Sequence, residues 1–183
     1  MKRVYLFLAD GFEEIEGLTV VDLMRRAGID VVTVSVMGKK EITGSRKIVV
    51  QADALWEESC FEDADMLVLP GGEPGTTRLE SFAPLCELVK NFSAKGGEIA
   101  AICAAPRIFA GLGLLEGKKA TSYPSVMERL KGAERTEEPV AVDGNITTSR
   151  GLGTAIDFAL VLIGKLKGME KAEEIGKSIV YYE

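Results

Sequence analysis

Four short apolar runs rich in valine, leucine and isoleucine, Val4–Ala9, Val31–Val36, Met66–Leu69 and Ile99–Ile102, are separated by stretches with helical periodicity. Runs of that length with no polar alternation suit strands that are covered on both faces. The alternation with helices therefore predicts a parallel sheet sandwiched between two helical layers. Shorter β-prone segments at Ile48–Val50, Val140–Val142 and Ile146–Thr148 suggest an antiparallel edge, the last two joined by the hairpin turn Asp143-Gly144-Asn145. The helix from about Thr154 to Lys165 is apolar nearly all round, which predicts burial. The preceding Gly151-Leu-Gly-Thr fails the dinucleotide pattern because Ile156 stands where a third glycine is required, so it reads as a turn feeding that helix. The segment Lys131–Pro139 is strongly charged and reads as surface.

A chain of 183 residues can bury a substantial core as one domain. No apolar run reaches the roughly 18–20 residues of a membrane span, and the N-terminal MKRVYLFLAD meets an acid before any signal-cleavage pattern, so a cytoplasmic protein without membrane association is expected. A net charge of −6 with no basic run leaves no footprint for nucleic acid and directs attention to small molecules or protein partners. The chain has no histidine, which removes Ser-His-Asp and Cys-His-Asp triads and histidine-bearing zinc sites within one chain. The three cysteines, Cys60, Cys86 and Cys103, are too irregularly spaced for a disulfide framework or a CxxC metal site. Cys60 and Cys86 read as small core residues.

Three loops draw attention because all follow predicted strands. After the first, Asp10 and Glu13 have capping-box spacing, and Glu16 falls on the apolar stripe of Val20, Leu23, Met24 and Ala27. A buried glutamate must find a donor or keep its proton; alternatively the first turn overhangs the sheet and Glu16 is solvated. After the third, Pro70-Gly71-Gly72-Glu73-Pro74-Gly75 lets a backbone approach a ligand, so Gly72 can present an N–H to an anion. After the fourth, Cys103 lies between a strand and a helix that tolerates Pro106 in its first turn, a nucleophile-elbow arrangement. A lone cysteine among alanines is also the composition of a plain core turn. Free amides at that helix start are expected to favour thiolate over thiol.

DGFEEIE, LPGG and AAICAAP, in that order and on those elements, resemble the ThiJ/PfpI superfamily, in the branch of the human Parkinson-disease protein and its bacterial relatives. VVDLMRRAGIDV, TGSRKIVV and TTSRGLGTAIDFAL carry the resemblance across nearly the whole chain. It implies a flavodoxin-like α/β three-layer sandwich, a homodimer, and a reactive cysteine at Cys103. By the same resemblance Glu16 is the glutamate bonded to that cysteine, Gly72 and Ala104 are backbone donors of the pocket, and Arg26 and Arg46 lie near the pocket and dimer surface. The implied activity is a cofactor-independent glyoxalase or deglycase acting on methylglyoxal or its adducts. The competing reading is a thiol that responds to oxidative stress, coupled to chaperone action. The sequence departs from the family at Thr121-Ser122-Tyr123-Pro124, where Tyr123 stands in place of the usual histidine. Tyrosine, with an ordinary pKa near 10, donates near neutrality and is a poor base, so Glu16 must carry the proton transfers.

Overall fold

The structure is a computed structural model that describes residues 1–181. Among these residues the strands are β1 (Arg3–Leu8), β2 (Asp30–Ser35), β3 (Glu41–Thr43), β4 (Val49–Gln51), β5 (Ala54–Leu55), β6 (Met66–Leu69), β7 (Glu98–Ile102), β8 (Lys119–Ala120), β9 (Glu134–Arg135), β10 (Val140–Asp143) and β11 (Ile146–Ser149). The helices are α1 (Glu14–Arg26), α2 (Gly75–Ser81), α3 (Ala83–Ala94), α4 (Pro106–Gly111), α5 (Ala155–Lys167) and α6 (Met169–Ser178). The main sheet has the order β10-β11-β7-β6-β1-β2-β5, and its strands pair in parallel except β10 with β11. This is the parallel sheet between helical layers expected from the alternation of runs, in the flavodoxin-like α/β form that the resemblance implies.

Successive residues of β1 serve opposite faces, which is what divides the core in two. Val4, Leu6 and Leu8 pack with Val20 and Met24 of α1 and with Phe158 and Ile163 of α5. Tyr5, Phe7 and Ala9 pack with Leu79, Leu85, Val89 and Phe109 from α2, α3 and α4. Each fully buried side chain of this size contributes about 1.5–3 kcal/mol. Helix α5 is apolar on nearly every side because it lies against the sheet, α1 and α6 together. Helix α1 stops where Gly28, at φ 71°, turns the chain; its amide and that of Ile29 donate to Arg25 and Met24 carbonyls at 3.0 Å.

Two sequence expectations need correction. The strand expected at Ile48–Val50 is β4, and it pairs with β3 in a separate antiparallel ribbon, not at an edge of the main sheet. Likewise β11 is parallel to β7 and only β10 provides the antiparallel edge. The physical reason is local: β3 and β4 are joined by a tight turn, so each finds its partner next to itself in the chain.

Going from β1 the chain winds outward to β2 and then returns to the other side of β1 with β6, so the topological switch point lies between β1 and β6. Crevices at the carboxyl ends of strands form at such points. The loops after β1, β6 and β7 meet there.

Candidate active site

Strand β7 delivers Cys103 directly into a turn. Its backbone is left-handed, at φ 65°, a conformation costing a non-glycine residue on the order of 1–3 kcal/mol. Hydrogen bonds from neighbouring segments hold it there: the Cys103 N–H donates to the Ser149 carbonyl at 2.9 Å, and its carbonyl accepts the Tyr123 N–H at 2.9 Å. Helix α4 begins three residues later with Pro106 in its first turn. The sulfur is thereby lifted off the strand end, half-buried, with the backbone amides of Ala104 and Gly72 near enough to favour its charged form.

Glu16, in the first turn of α1, is 1% exposed, so the overhanging, solvated alternative is wrong. Its Oε2 accepts the Gly71 N–H at 3.1 Å. Burial pushes the carboxyl up to about 7; the hydrogen bond with Cys103 pulls against that, the charge of Glu13 adds to it, and the amides of Gly71 and Leu152 pull back. Burial also pushes the Cys103 thiol up, reinforced by the Glu16 charge and hydrogen bond, and the two amides only partly offset this. The expectation that amides at the helix start decide the thiol's acidity is therefore corrected: desolvation and the carboxylate outweigh them. The two groups titrate as one unit that sheds its first proton near 7 and holds the second far above.

Two glycines make this contact possible. A Cβ on Gly71 would lie 2.5 Å from Glu16 Oε2 and 2.6 Å from Cys103 Cβ. Gly72, at φ 91°, presses its backbone so close to the β1–α1 turn that a Cβ would lie 2.2 Å from the Glu13 nitrogen. That turn is not closed by the expected capping box. Glu13 is the N-cap and makes no side-chain cap bond, while Asp10 accepts the Thr43 N–H at 2.9 Å and pairs with Lys39 at 3.1 Å. A longer-range tie to β3 has displaced the local one.

The site opens into a cavity of about 640 Å³ that brings together Cys103, Glu16, Gly72, Ala104 and Tyr123. Tyr123 is 49% exposed, and its ring lies 3.4 Å from where a Cβ on Gly151 would stand. Arg46 reaches the same cavity from the turn before β4, whereas Arg26 lies apart, paired with Asp22 at 2.7 Å beside a different hollow. Cys60 is exposed, not a core residue; its carbonyl accepts the Tyr5 hydroxyl at 2.8 Å in an acidic loop. Cys86 is half-buried against the second core, its thiol pushed up chiefly by burial.

Two residues of the site carried no signal in the sequence. Glu14 is buried and accepts the Arg46 N–H at 2.7 Å and the Ser45 hydroxyl at 3.2 Å, clamping the β3–β4 turn onto α1 beside the cavity. Burial opposes its charge, but the backbone amides of Glu14, Arg46 and Ile48 hold its carboxyl below the usual range. Arg107, buried in the cavity wall, holds Glu73 and Glu80. Among the described residues no group of three or more cysteine, aspartate or glutamate side chains is arranged to hold a metal ion.

A doubly wound sheet carrying a cysteine in a strained turn, with a buried carboxyl beside it in one cavity at the switch point, defines a class: α/β proteins centred on a strand-end thiol. The DJ-1/PfpI family profile matches residues 2–165, and the chain belongs to that family. It is 40% identical over 177 residues to protein DJ-1 homolog A of Arabidopsis thaliana, covering 96% of this chain and 45% of the relative. With homolog B at 40%, the chain spans less than half the length of either Arabidopsis protein. A deglycase of Pyrococcus abyssi is 34% identical over 151 residues, 81% of this chain and 89% of the relative. The solved structure of oxidised DJ-1 from Toxoplasma gondii superposes with a TM-score of 0.96 at 38% identity, covering 100% of both chains. No helix among the described residues is long and apolar enough to cross a membrane.

Proposed function

We propose that this chain is a cysteine-dependent, cofactor-independent glyoxalase or deglycase acting on methylglyoxal or its adducts, with Cys103 as nucleophile and Glu16 as the proton carrier. The observation that carries this reading is that the Cys103 sulfur and the buried Glu16 carboxyl line one cavity together with the backbone of Gly72 and Ala104. The name of the Pyrococcus relative supports the deglycase side of it.

Sulfur attacks the aldehyde carbon of methylglyoxal while the single proton of the pair passes to the new alkoxide, leaving a hemithioacetal and an ionised Glu16. Glu16 then removes the proton from that carbon, leaving an enediolate with its negative charge on the ketone oxygen. Returning that proton to the neighbouring carbon, as the first carbon's hydroxyl proton shifts to the second oxygen, gives a lactoyl thioester, and water cleaves the carbon–sulfur bond to yield lactate and the free thiol. In this reading the Gly72 and Ala104 amides stabilise negative oxygen at the reacting carbon, and Tyr123 donates a hydrogen bond from the mouth of the cavity. A carboxyl titrating near 7 is well matched to taking and giving a proton at neutral pH. The test is lactate detection during methylglyoxal consumption with no glutathione present. Lactate above the spontaneous rate is expected; its absence from folded protein sinks the reading.

A second reading is favoured by the oxidised state of the Toxoplasma neighbour. Here peroxide oxidises Cys103 first to sulfenate and then to sulfinate, each step transferring one oxygen and releasing water, and protonated Glu16 donates to the sulfinate. Peptide mass spectrometry after graded peroxide distinguishes it: two oxygens added preferentially at Cys103 support it, and equal oxidation of Cys60 and Cys86 counts against it. Either reading is compatible with a homodimer, for which the exposed Ile15 and Leu18 of α1 offer apolar surface. Sedimentation equilibrium tests that assembly.

A further inference from the structure

Arg107 is the least expected side chain in the cavity wall. It is 6% exposed and sits four residues beyond Cys103, on the helix that continues the elbow. Its Nη1 donates to Glu73, its Nε to Glu80 Oε2 at 3.0 Å and its Nη2 to Thr77 Oγ1 at 2.9 Å. The Thr77 hydroxyl in turn donates to Glu73 Oε2 at 2.8 Å, and Glu80 also accepts Arg129 at 3.1 Å. A planar guanidinium can hold these partners at once because its donors point in fixed directions. Glu73 directly follows Gly72, and Ala104 directly follows Cys103. Gly72, Ala104 and Cys103 line one cavity with Arg107, so the two amides that face the sulfur ride on the two segments that Arg107 ties together.

We propose that Arg107 is a positioning residue: by bracing the Gly71–Gly75 loop against the elbow it keeps the Gly72 amide on the Cys103 sulfur, and so sets how readily the thiol reacts. The charge of Arg107 is matched by Glu73 and Glu80, with Arg129 sharing Glu80, so its influence on the sulfur runs through geometry and not through net field. The loop is also packed against the β1–α1 turn at Gly72 and Gly75, so losing the brace retunes the site without dismantling it. The inference rests on Cys103 being the reactive centre, and thiol alkylation reports that centre whether or not the chain turns over a carbonyl.

The test is the pH dependence of Cys103 alkylation by iodoacetamide, followed by peptide mass spectrometry, with exposed Cys60 as the internal reference. Arg107→Met removes the brace and keeps most of the apolar stem. Glu73→Ala cuts the same brace from its half-exposed end and leaves Arg107 paired with Glu80. Both variants are expected to raise the midpoint by about one pH unit, a roughly tenfold loss of rate at fixed pH below it. Arg107→Lys recovers part of that shift. The Glu73 variant separates the brace from simple electrostatics, because removing a negative charge near a thiol lowers its midpoint unless an amide is lost at the same time. Unchanged midpoints in both folded variants, or a fall in Glu73→Ala, overturns the proposal. The expected midpoint shifts in both variants, with no lactate from the wild type, leave the brace standing and remove the glyoxalase reading.

Discussion

Glu16→Gln should separate thiol reactivity from turnover. Glutamine keeps an N–H that can bond the sulfur and removes the carboxylate charge that pushes the thiol up, so Cys103 alkylation should change by less than about tenfold. It cannot carry a proton between two carbons. A positioned base contributes about 10²–10⁴ in rate, or roughly 3–5 kcal/mol of barrier, and turnover should fall by that factor. The wild-type pH profile follows from the same pair. Below about 7 both Glu16 and Cys103 hold their protons, so turnover should drop about tenfold per pH unit there and level off above 8. The assay is lactate formation across pH 5–9 beside alkylation of the same preparations. If alkylation of the glutamine variant falls in parallel with turnover, Glu16 acts only on the thiol and the carbon-to-carbon proton transfer is wrong.

Further outcomes follow from the same geometry. Because folding raises the Glu16 carboxyl from its ordinary range to about 7, the folded state binds the extra proton, and stability falls as pH rises from about 4.5 through 7. Glu16→Gln should remove up to about 3 kcal/mol of that loss, giving a higher urea midpoint than wild type at pH 8 and little difference at pH 4. Gly71→Ala forces a methyl into Glu16 and Cys103, and both alkylation and turnover should be disrupted. Gly151→Ala meets nothing closer than 3.4 Å, so it should fold normally and chiefly raise KM, as read from steady-state kinetics.

The sheet was legible because its central strands are short continuous apolar runs separated by helical periods; β5, β8 and β9 are two residues each and have no run to read. Glu16 and Cys103 were legible for a related reason. One broke the apolar stripe of a helix, and the other stood where a strand hands over to a helix. Glu14 and Arg107 were not, because their partners lie tens of residues away and nothing nearby marks them. Asp10 misled in the opposite direction: its local capping pattern was real, but the Thr43 amide competed for the same oxygen and won. The thiol's acidity was misjudged because the amides can be inferred from a turn, while the desolvation that opposes them depends on the finished packing.

The central claim is that chemistry passes through the Cys103 sulfur. Its most direct test compares lactate formation from methylglyoxal, without glutathione, by wild type and Cys103→Ser, with matched circular dichroism for both. The account predicts turnover in the wild type and none above background in the serine variant. Equal lactate formation by the two proteins would contradict it.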